Sequence, residues 1–185
     1  MSQRQVRYLP AQVVKASAAP LPEGKSIARG WSAVPLGEDR DEMALAWQLD
    51  AAAFQLAAGQ NSRLRLTVAL DYRDAQLVEV FTRHSNEPIG TIDIRYAYVF
   101  QPFELLLSSE QTAAALEQGI RLVRKGGIQP LWVFDALDGT EERVMFAPHL
   151  MIGEPDCRIE EALHTMLSLS SLQPFGWMEG CREES

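Results

Sequence analysis

Apolar residues recur at every second position over long stretches of this chain, and that period predicts strands. Leu64, Leu66, Val68 and Leu70 share one side, with Arg63, Arg65 and Thr67 on the other. After a turn at 72–74, a second strand is predicted over 77–83. Ile92, Ile94, Tyr96 and Tyr98 then alternate with Asp93, Arg95, Ala97 and Val99, and the first group is expected to face the core. Short connections predict an antiparallel meander for these three strands. Upstream, Met43, Leu45, Trp47 and Leu49 show the same alternation, and the alanine-rich run from 51 to 58 then suits a short helix ended by Gly59.

The period lengthens after residue 107. Ser108 and Gln111 form a capping box, and Leu116, Ile120 and Val123 make an apolar stripe. A helix is therefore predicted over 108–125, with Arg124 and Lys125 at its negative end and Gly126 and Gly127 as its stop. Segments 131–137 and 143–147 read as a hairpin about Asp138 and Gly139. A last helix is predicted over 156–173, with Ile159, Leu163, Met166 and Leu167 inward and Pro174 and Gly176 beyond its end. The fold class is α+β: a largely antiparallel sheet of roughly five to seven strands, with two main helices packed mainly on one face.

Residues 1–40 hold four of the ten prolines and read as an N-terminal arm, with short strands near 6–9 and 12–15. Residues 41–173 read as a single domain and 174–185 as a C-terminal tail. At 185 residues the chain buries enough surface to fold without a disulfide or metal staple. Its net charge of −8 argues against a nucleic-acid binder. Locally, residues 1–30 carry five cations against one acid, and residues 31–60 carry five acids against one cation. A basic arm docking on an acidic surface fits that asymmetry. The two cysteines, Cys157 and Cys181, are too few for a disulfide framework. The first residues lack a secretory apolar core and there is no 18-residue apolar run, so a cytoplasmic, membrane-free protein is expected.

Candidate chemistry is sparse. His149, Cys157 and His164, with Asp156, are acceptable zinc ligand types, yet no paired ligand spacing supports a site. Cys157 at the first turn of a helix would have a lowered pKa, with Arg158 helping and Glu160 and Glu161 opposing. Among the acids at 135–156, Asp138 is explained by a turn and Asp156 by a helix cap, which leaves Asp135 without a local task. Gly126 and Gly127 follow a predicted helix, whereas phosphate loops precede one. No cofactor and no metal are expected.

The apolar segment 96–107 is the stronger signal, because bulky groups occupy both of its faces. One face then requires a cover, from this chain or from a partner. Trp31, Tyr96, Tyr98, Val99, Phe103 and Trp177 are the expected binding residues, as aromatic and apolar interface material. The stretch Trp47 to Asp50, the alanine-rich segment, Leu64 to Val68 and Leu77 to Val80 resemble the strand order of SecB-type export chaperones. A helix and a proline-containing segment follow in both. The likeness covers under half the chain and implies peptide binding. The expected function is a non-catalytic interaction or structural subunit of a larger assembly, with a protein partner or as a homo-oligomer. The alternatives are a SecB-like peptide-binding chaperone, or a small enzyme using Asp135, His149 or Cys157.

Overall fold

The computed structural model describes residues 6–14, 16–21, 23, 27, 31–37, 42–70, 73–97, 101–136 and 146–153. Its strands are β1 (Arg7–Pro10), β2 (Gln12–Val13), β3 (Trp31–Leu36), β4 (Glu42–Ala46), β5 (Ser62–Ala69), β6 (Ala75–Thr82), β7 (Gly90–Arg95), β8 (Gln101–Leu107), β9 (Ile120–Lys125), β10 (Leu131–Ala136) and β11 (His149–Ile152). Its helices are α1 (Ala51–Ala58) and α2 (Ser109–Gln118). The fold is α+β, and the strand pairings among the described residues are antiparallel.

The strands divide into two sheets. One runs β1-β11-β5-β10-β3, with β8 paired to β5, and the other runs β2-β4-β9-β6-β7. The predicted meander is therefore split. β6 pairs with β7 as expected, but β5 belongs to the opposite sheet. The alternation of β5 is equally satisfied in either sheet, so periodicity alone does not choose its neighbours. Leu64, Leu66, Val68, Leu131, Val133 and Leu150 of the first sheet share one core with Met43, Leu45, Val80, Ile92, Ile94 and Leu122 of the second. Ala57 of α1 and Ala115 and Leu116 of α2 join that core.

The segment expected as an arm supplies strands to both sheets. Arg7–Pro10 pairs with β11, Gln12–Val13 with β4, and Trp31–Leu36 with β10. The Trp47 indole Nε1–H donates to the Leu9 carbonyl at 3.0 Å and holds this crossing from one sheet to the other.

Asp50 caps α1 by accepting from the Ala53 N–H at 2.7 Å. At α2 the capping box is complete: Ser108 Oγ accepts from Gln111 N–H, and Gln111 Oε1 accepts from Ser108 N–H. The helix predicted over 108–125 is corrected to a shorter one. It ends at Gly119, whose φ of 84° is a left-handed conformation suited to glycine. A Cβ there would lie 2.6 Å from the Leu45 carbonyl oxygen. Ile120, Leu122 and Val123 form β9 instead of extending the helix, and Gly126 and Gly127 end a strand. Asp74 then pins the turn that follows, its carboxylate accepting from the N–H groups of Ile128 and Gln129. Phe146 and Ala147, predicted to end the second hairpin strand, are not in a strand, and among the described residues β10 pairs with β3 and β5 instead. Residues 137–145 and the helix predicted over 156–173 lie outside the described residues.

Candidate functional site

Two regions carry side chains whose placement exceeds the needs of one core. The first is the ribbon formed by β7, the bend after it and β8. Among the described residues, β7 pairs only with β6, at the margin of its sheet, and β8 pairs only with β5. The two strands approach closely at Gly90, where a Cβ would stand 2.6 Å from a methyl of Leu105. Ile92 and Ile94 face the core as expected. Tyr96 does not. Its φ of 53° turns the chain out of the strand, and its side chain is 74% exposed. A left-handed conformation at a bulky residue is a genuine outlier. The alternation that places Tyr96 in the core stops at Arg95, while Ala97 beyond the bend is buried.

Phe103 lies on β8 opposite Leu66 and packs half-buried against the core. Leu106, on the other side of β8, is exposed. Trp31 is 6% exposed: its ring stacks on Phe146 at 3.8 Å and tilts against Phe134 at 5.7 Å. That aromatic cluster covers the outer side of β3 and β10. Of the expected binding set, then, Tyr96 is presented to solvent, Phe103 is half-buried and Trp31 is internal. Tyr98, Val99 and Trp177 lie outside the described residues.

The second region is polar and buried, on the same outer side of the first sheet. Arg65 stands between Glu104 on β8 and His149 on β11, in cross-strand register with both. Sequence alternation assigns Arg65 to a solvent face, but it is 2% exposed. Its Nε donates to Glu104 Oε1 at 2.7 Å and its Nη2 donates to the same oxygen, while Arg63 reaches Glu104 Oε2 at 3.6 Å. His149 is fully buried and meets Tyr8 edge-on, with ring centroids 5.6 Å apart. Its Nδ1 lies 2.7 Å from the Ala147 carbonyl oxygen, which only accepts, so Nδ1 bears the proton. Among the described residues, Nε2 is then a buried acceptor without a hydrogen-bond partner, as Arg65 Nη1 is a buried donor without one. Burial, helped by the positive charge of Arg65 and opposed by the Ala147 contact, lowers the His149 pKa to about 4. Burial raises the Tyr8 pKa, with Arg65 opposing and Glu104 adding to the shift.

A neutral imidazole closed to solvent is poorly placed to exchange protons with a substrate. Asp135 is buried, and its Oδ1 accepts from the Ala136 N–H at 2.9 Å, the local task that the sequence leaves unassigned. Cys157, His164 and Asp156 lie outside the described residues. Among the described residues, no three histidine, cysteine or acidic side chains gather as metal ligands. Nor is any described helix long and apolar enough to cross a membrane. The chain matches no protein-family model and no curated protein.

Proposed function

We propose that this protein is a non-catalytic subunit of a protein assembly in the cytoplasm, and that the β7–β8 ribbon is its contact surface. Tyr96 carries the reading. A tyrosine turned outward by a left-handed backbone, at the end of a marginal strand, has no folding role that requires its ring in water. Rigid aromatic side chains of this kind supply the anchors of protein interfaces at low entropic cost. The exposed Leu106 adds apolar surface on β8, while Phe103 on the opposite side packs half-buried against the core.

A photo-crosslinking amino acid placed at position 96 tests this in the cells that make the protein. One discrete protein adduct is expected, absent when the same residue replaces exposed Glu117 on α2. Adducts of equal yield from both positions, or from neither, would contradict the reading.

A further inference from the structure

Among the described residues, four strands of four or more residues lie at sheet margins: β1, β3, β8 and β7. Three of them contain a proline, namely Pro10, Pro35 and Pro102. Proline withholds a backbone donor and blunts an edge against pairing with another strand. β7 contains none. Its outward side chains alternate in charge: Asp93 and Arg95 are 47% and 62% exposed and form an ion pair along the strand at 2.6 Å.

We propose that β7 pairs antiparallel with β7 of a second copy of this chain, about a two-fold axis at Ile94. The proposal rests on the interaction reading above and names its partner. An axis perpendicular to the sheet keeps the inner face of one copy continuous with the inner face of the other, so it must pass through a residue position. Centred on Asp93, it sets two carboxylates opposite each other. Centred on Arg95, it sets two guanidinium groups together. Centred on Ile92, it pairs Asp93 with Thr91 and leaves Arg95 beyond the start of the other strand. Only the Ile94 centre puts Asp93 opposite Arg95 of the second copy, twice. Opposite charges directly across a strand pair are favourable and like charges are not. That register joins two five-stranded sheets into one.

Sedimentation equilibrium of the full chain tests this with Asp93→Arg, Arg95→Asp and the double variant. The wild type should be a dimer. Each single reversal should weaken it about tenfold or more, since two attractive pairs become repulsive. The double variant should restore it, with circular dichroism unchanged throughout. A monomeric wild type, equal affinity in all four proteins, or a double variant no tighter than the single ones would overturn the β7 pairing. Failure here is distinguishable from failure of the interaction reading, because crosslinking from position 96 also reports a different partner protein.

Discussion

Arg65 and Glu104 face each other across β5 and β8, and one carboxylate oxygen of Glu104 accepts from both Nε and Nη2 of Arg65. The two residues are unequal partners. Arg65 is almost wholly buried, whereas the Glu104 side chain is 31% exposed and also meets Arg63. Removing one or the other therefore leaves very different remainders.

Glu104→Ala strands a guanidinium in the interior and should cost about 3 kcal/mol. Arg65→Met fills the same space with apolar atoms and leaves Glu104 to water and Arg63, so it should cost less than half as much. Urea unfolding of the two variants measures the difference. An Arg65→Met variant at least as destabilised as Glu104→Ala would contradict the asymmetry.

His149 should give the fold a specific acid sensitivity. The folded ring takes a proton only near pH 4, whereas an unfolded histidine takes one near 6.5. Between those values the unfolded state binds more protons, so stability present above pH 6.5 is lost as pH falls toward 4. The loss is on the order of 3 kcal/mol. His149→Leu should remove this component, and the difference between the two urea-stability curves isolates it from the carboxylates. Parallel curves across that pH interval would show that His149 is not held neutral by burial.

Gly119 should resist replacement while Gly59 tolerates it. Alanine at 119 meets both a left-handed backbone and the Leu45 carbonyl, and should cost about 2 kcal/mol or more. Gly59 has φ of −90° and nothing within 4 Å of where a Cβ would stand, so Gly59→Ala should change stability by under about 0.5 kcal/mol. Thermal unfolding of both variants checks the contrast.

Local signals are legible in this sequence and long-range ones are not. The Ser108–Gln111 capping box and the Asp50 and Gly59 boundaries of α1 can be read directly, because capping depends on residues three or four apart. The span of α2 is harder to read, because Leu116, Ile120 and Val123 also fit a helical stripe. Gly119, in the middle of that stripe, is the stop signal the sequence offers. The separation of β5 from β6 is invisible to periodicity, since each strand alternates correctly in either sheet. For the candidate site, aromatic character marks Tyr96 as a binding residue, yet alternation puts it on the core face. Alternation cannot register a single reversal of backbone sign at a strand end. Arg65 and His149 read as surface and loop residues because their burial depends on both sides of β5 and β11 being covered.

Hydrogen exchange along β7, followed as a function of protein concentration, tests the account most directly. If β7 is the surface through which this subunit assembles, half of its amides point away from β6 and acquire partners only on association. Exchange within Gly90–Arg95 should then slow as concentration rises, while that of the proline-bearing edge β3 stays constant. Exchange in β7 that is rapid at every concentration, in protein that is nonetheless assembled, would contradict the claim.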